Sequence, residues 1–117
     1  MKRLITLIIF LLLSTAAWAG SDVTLSWDAN TEADLAGYRL HYGNAPGIYD
    51  NQVDVGLVTI HTVADLPDGT YYFALTAYDT SANESEYSNE VNTALDATPP
   101  ANPQMLEITI IIKVVVP

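Results

Sequence analysis

The residues able to do chemistry are few. The chain has two histidines and no cysteine. His41 lies on the polar side of an alternating stretch, two residues from Arg39, and His61 sits in a β-branched run. An acid–base or nucleophilic role needs a hydroxyl, thiol or carboxylate fixed against such an imidazole. No Gly-x-Ser-x-Gly, His-Glu-x-x-His or glycine-rich phosphate loop supplies one. His41 therefore reads as a solvated surface residue near acidic neighbours, and His61 as a partly buried sheet residue. Alternating oxygen-bearing side chains occur at Asp28, Asn30, Glu32 and Asp34, and again at Asp79, Ser81, Asn83 and Ser85. Calcium favours several oxygen ligands, and alternate loop residues can converge on one ion. Neither stretch has the central Gly and closing Glu of a twelve-residue calcium loop, so turn capping is the plainer reading. The tyrosines are Tyr38, Tyr42, Tyr49, Tyr71, Tyr72, Tyr78 and Tyr87. Tyr72 and Tyr78 share an outward face suited to stacking on sugars or on another protein. An ordinary half-buried sheet face is the plainer account of that pair. No catalytic, cofactor-binding or metal-ligating residue is assigned.

These residues sit on short stretches of period-2 alternation separated by turn residues, without a 3.6-residue period. Val23, Leu25 and Trp27 alternate with Thr24 and Ser26. Tyr38, Leu40 and Tyr42 alternate with Arg39 and His41, up to the turn Gly43-Asn44-Ala45-Pro46-Gly47. Val53 and Val55 mark a weaker strand, and Leu57 to Val63 another. After the turn Leu66-Pro67-Asp68-Gly69 comes the strongest strand. In it Tyr71, Phe73, Leu75 and Ala77 face one way, and Tyr72, Ala74, Thr76 and Tyr78 the other. Tyr87 to Ala94 closes the set. Six strands at this spacing predict an all-β, antiparallel sandwich with one buried face per sheet. Trp27, Tyr38, Leu40, Leu66, Tyr71, Phe73 and Leu75 are its expected core.

The first nineteen residues read as an address. Met1-Lys2-Arg3 precedes the apolar run Leu4 to Leu13, and Ala17-Trp18-Ala19 is a small-x-small triplet, the layout of a secretory signal peptide cleaved between Ala19 and Gly20. The run is too short to span a bilayer, which takes roughly 17–25 residues. The expected organisation is a leader over 1–19, a domain over 20–96, and a Pro-rich linker with an apolar tail over 97–117. Removing the leader leaves Arg39 and Lys113 as the basic residues against 14 Asp+Glu, a net charge of −12. Such a surface repels phosphate backbones and anionic headgroups, which excludes nucleic acid and membrane surfaces as partners. The absence of Cys removes disulfides, thiolate catalysis and zinc–cysteine sites. Asn83-Glu84-Ser85 matches a glycosylation sequon, but bacterial export speaks against its modification.

The stretch Asp22 to Leu95 resembles a fibronectin type III domain of the kind common in exported bacterial proteins. Val23-Thr24-Leu25-Ser26-Trp27 is similar to its second strand, with Trp27 as the core tryptophan, and Gly37 to Gly43 to its third. Leu66 to Asp79 resembles the turn into its sixth strand, and Glu84 to Val91 its last. Tyr71 falls where that family places a corner tyrosine bonded back across the preceding loop. The resemblance implies an immunoglobulin-like sandwich. It also implies a non-enzymatic role in binding protein or glycan, in adhesion or in spacing, or as an accessory to extracellular polysaccharide-degrading machinery. The first strand of that pattern should precede Val23, where only Gly20, Ser21 and Asp22 remain once the leader is removed. A bare sheet edge is the consequence.

Beyond Leu95, Thr98-Pro99-Pro100-Ala101-Asn102-Pro103 is an extended linker, and Leu106 to Val116 is almost wholly apolar and β-branched. That segment suits a strand, not a comfortable helix. Three fates are open to it: completing its own domain, completing a neighbouring copy head to tail, or belonging to a longer multi-domain chain.

Overall fold

A computed structural model describes residues 7–12, in backbone terms, and residues 20–105. Among them there is no helix, and seven strands form two antiparallel sheets. The strands are β1 (Leu7–Leu12), β2 (Ser21–Trp27), β3 (Leu35–Gly43), β4 (Asn51–Gly56), β5 (Ile60–Leu66), β6 (Gly69–Asp79) and β7 (Val91–Leu95). One sheet has the order β1-β2-β5 and the other β4-β3-β6-β7. Alternation sets the layers, because successive side chains in a strand point to opposite faces. Val23, Leu25 and Trp27 from β2 meet Tyr38 and Leu40 from β3 and Tyr71, Phe73, Leu75 and Ala77 from β6, with Val63, Leu66 and Leu95 closing the core. Trp27 meets Tyr38 edge to face at 5.5 Å, and the Tyr38 hydroxyl accepts a bond from the Asn30 amide at 2.7 Å. The Tyr71 hydroxyl donates to the Pro67 carbonyl at 2.8 Å, fixing the corner into β6.

Three differences from the sequence reading carry physical content. The outer edge of β2 is not vacant in the full-length chain. Leu7–Leu12, inside the expected leader, lies antiparallel along it, with Leu7 opposite Trp27 and Leu12 opposite Asp22. The apolar character that suits translocation also suits an edge strand over a core. The expectations for the tail, residues 106–117, and for the cleavage-side Ala19 lie outside the described residues. Second, Leu57 and Val58 do not begin a strand, because Gly56, at φ +73°, turns the chain first. Third, β7 begins at Val91, four residues after Tyr87. Over the preceding stretch, serines stand in for a strand. Ser85 and Ser88 give their amides to the Ala77 and Leu75 carbonyls, each at 2.8 Å. Their hydroxyls accept from the Leu75 and Ala77 amides at 2.9 and 2.8 Å. The edge of β6 is thus satisfied without extended pairing, and residues 84–90 are free to arch over the outer face.

The two ends of the sandwich differ. Ser21 pairs with Leu66 and Gly69 with Leu95, so Ser21, Asp68 and Leu95 lie at one end. Asp68 holds the departing chain there, accepting from the Ala97 amide at 2.9 Å and the Thr98 hydroxyl at 3.0 Å. Thr98 to Met105 is exposed throughout. At the opposite end the Trp27 amide donates to the Thr59 carbonyl, beside Leu57 and Ile60, which are 62% and 57% exposed.

Candidate functional site

The outward face of the four-stranded sheet carries the functional groups. Register places Gln52, His41 and Ala74 in one row across β4, β3 and β6, and Asp54, Arg39 and Thr76 in the next. Ala74 is small, which leaves room above it for the His41 ring. Tyr87, from the serine-anchored arch, meets that ring edge-on at 5.0 Å and meets Tyr49 at 5.1 Å. Tyr49 is held in turn by Glu90, whose Oε1 accepts from the Tyr49 hydroxyl and the Gly47 amide, each at 2.7 Å. Burial, and after it that bond, push the Tyr49 phenol well above its ordinary range.

Beneath the arch His41 is only 7% exposed and Thr76 only 4%. This corrects the sequence reading of His41 as solvated: the residues that cover it, Tyr49 and Tyr87, are distant in sequence. Thr76 Oγ1 donates to Glu84 Oε1 at 2.6 Å and lies 2.9 Å from His41 Nε2. A hydroxyl has a single proton. With that proton on Glu84, the bond to His41 requires Nε2–H to donate to Thr76. This polarity is the reverse of a nucleophile activated by an imidazole, so Thr76 is braced, not activated. Glu84 Oε1 also faces Arg39 Nη1 at 3.2 Å. Its carboxyl is held below the ordinary range, chiefly by the Thr76 bond. Burial holds the His41 imidazole below its ordinary value against the opposing pull of Glu84, and Arg39 adds to the lowering.

His41, Gln52, Thr76, Glu84, Ser85, Glu86 and Tyr87 line an open groove of about 780 Å³. Tyr87, 55% exposed, forms its aromatic wall. Tyr72 and Tyr78 are each half-buried, in keeping with an ordinary sheet face. The Tyr78 hydroxyl donates to both Asp54 oxygens, at 2.8 and 3.0 Å, and the Arg39 guanidinium lies 4.7 Å above its ring. Tyr78 also explains Gly37, where a Cβ would collide with the Tyr78 ring and hydroxyl. His61 lies on β5, in the other sheet, away from this cluster.

The acidic loop at Asp79 is likewise engaged. Asp79 accepts from the Ser81 and Asn83 amides and the Asn83 side chain, bonds that lower its pKa, the Asn83 side chain contributing most. Among the described residues no three His, Asp or Glu side chains gather closely enough to hold a metal ion. Sequence reasoning missed Tyr49 and Tyr87 as the cover over His41, Gln52 as its cross-strand neighbour and Glu90 as the anchor of Tyr49. The one local signal was the serine spacing at Ser85 and Ser88, which lifts Tyr87 over the sheet.

No family model matches the chain. By structure it is similar to the FN1–FN3 domains of chicken CNTN1, with a TM-score of 0.59 and 20% identity over 74% of this chain and 30% of that one. The fold is fibronectin type III-like. It is also similar to the β-1,2-glucanase from Parabacteroides distasonis, with a TM-score of 0.54 and 19% identity over 86% of this chain and 14% of that one. By sequence, a Kelch domain-containing protein of Saccharolobus solfataricus is 35% identical over 96 residues. That match takes in 80% of this chain and spans 13% of the relative's length.

Proposed function

We propose that the chain is an exported, non-catalytic binding module, released by cleavage between Ala19 and Gly20, that takes a protein or glycan at the cell surface. The observation that carries this reading is the groove under Tyr87. A ligand site typically combines an aromatic wall with a few polar groups fixed in direction. Here Tyr87 is the wall, Gln52, Glu84 and Glu86 are the polar groups, and the Arg39–Glu84–Thr76–His41 chain fixes Glu84 before any ligand arrives. The acidic surface disfavours anionic glycans and favours neutral or basic ligands.

The test is a titration of the secreted chain with soluble neutral glycans and basic peptides, followed by amide shifts. Shifts confined to the groove, with affinity reduced tenfold or more by Tyr87→Ala at unchanged melting temperature, support the reading. Shifts elsewhere, or none with any probe, remove the groove from consideration and leave spacing as the role. A second reading is favoured by the glucanase likeness, in which this fold occupies a minor share of a longer enzyme chain. In that reading the module accompanies polysaccharide-degrading machinery, and retention on an insoluble polysaccharide distinguishes it.

A further inference from the structure

We propose that in the processed chain the outer edge of β2 is completed by Leu106 to Val116 of a second copy, head to tail. The inference rests on removal of residues 1–19, proposed above. The structure shows what that edge accepts: Leu7–Leu12 pairs along it residue for residue. Loss of those six residues uncovers one side of a strand whose Val23 and Leu25 lie in the core. An open edge over apolar core is a template for another strand. Leu106 to Val116 is apolar, β-branched and longer than the six residues it would replace.

Direction decides between the chain's own tail and a neighbour's. A strand replacing β1 with the same antiparallel sense enters beside Trp27 and ends beside Asp22. The chain, however, leaves its domain at the other end, tied to Asp68 through Ala97 and Thr98. To serve its own β2 in that antiparallel sense, the linker would have to run back along the strand, about 17 Å at roughly 3.3 Å per residue. It would also have to cross between sheets packed about 10 Å apart. Pro99 to Met105 reaches about 22 Å as an extended proline-type helix, barely more than that path in a straight line, which leaves no length for the reversal. Thr98 to Met105 is exposed along its whole course and buries nothing against its own domain.

A second copy placed in line removes the difficulty. The Asp68 end of one copy then faces the Trp27 end of the next, and the tail enters in the observed sense without turning. That receiving end carries the exposed Leu57, Val58 and Ile60, an apolar surface for the neighbour to cover. The contact is heterologous, so it propagates into open chains unless rotation closes a ring.

The experiment uses the processed chain, Gly20 to Pro117, and the uncleaved chain, with light scattering across a concentration series. Intact mass of the secreted protein first establishes cleavage, which separates failure of processing from failure of strand exchange. The expected result is a concentration-dependent series of oligomers for the processed chain, and monomers for the uncleaved chain, in which Leu7–Leu12 holds the edge. The protein has no cysteine, so Ser26→Cys is combined with Thr109→Cys or Ile110→Cys, covering both strand registers. A ladder of disulfide-linked multimers is expected on oxidation. A disulfide-closed monomer assigns the tail to its own domain and overturns the proposal. So does a monomer at every concentration with no disulfide formed.

Discussion

At the scale of single residues, the buried His41 makes stability depend on pH near neutrality. In the unfolded chain the imidazole titrates at its ordinary value of 6.5, whereas in the folded chain burial holds it lower. As pH falls through 6.5, the unfolded chain takes up a proton that the folded chain declines, and the folded state loses ground. The loss ends once pH drops below the folded value. Glu84 acts further down. Its folded pKa lies below the ordinary 4.5, so the stability it contributes is present above 4.5 and is lost as pH falls through the folded value. The melting temperature should therefore decline in two steps on acidification. His41→Gln, which keeps a donor for Thr76, should abolish the upper step and leave the lower one. Parallel melting curves for wild type and His41→Gln between pH 7.5 and 5.5 would refute this account.

At the scale of elements, the strands were largely legible because alternation reports which face is buried. Tyr71, Phe73, Leu75 and Ala77 read as one face of β6 from their spacing alone, and all are buried. The cover over the outer face was not legible. Tyr49 and Tyr87 reach His41 through loops, and loops obey no period. The boundary of β7 escaped for a related reason: Ser85 and Ser88 satisfy β6 through side chains, which a strand pattern cannot register. This substitution makes a local prediction. Ser88→Ala withdraws the acceptor from the Leu75 amide and should cost about 1–3 kcal/mol, the range for a buried donor left unpaired. Amide exchange should accelerate at Leu75 more than at Leu40, its partner on β3. Uniform acceleration across β6 and β3 would mean that the serine acts on global stability alone.

At the scale of the whole molecule, excess acid is the dominant long-range force. The chain carries 4 Lys+Arg against 14 Asp+Glu, a net charge of −10, and self-repulsion of like charges destabilises a compact state. Raising sodium chloride from about 0.01 M to about 1 M shortens the screening length from roughly 30 to 3 Å. The melting temperature should rise over that range, despite weakening of the Arg39–Glu84 pair; a fall would place local pairs above net charge. The sheet order has a further consequence, in the time the chain takes to fold. Its broadest ladder, β3–β6, and the β2–β5 ladder join residues far apart, with Leu40 meeting Leu75 and Leu25 meeting His61. Closing such distant pairs costs chain entropy before contacts repay it, so folding belongs in the millisecond-to-second regime of sandwiches. The edge strand is different. β1 touches one strand of its sheet, so it is free to arrive last, on a scaffold already closed. A late-arriving strand need not come from the same end of the chain, nor from the same molecule.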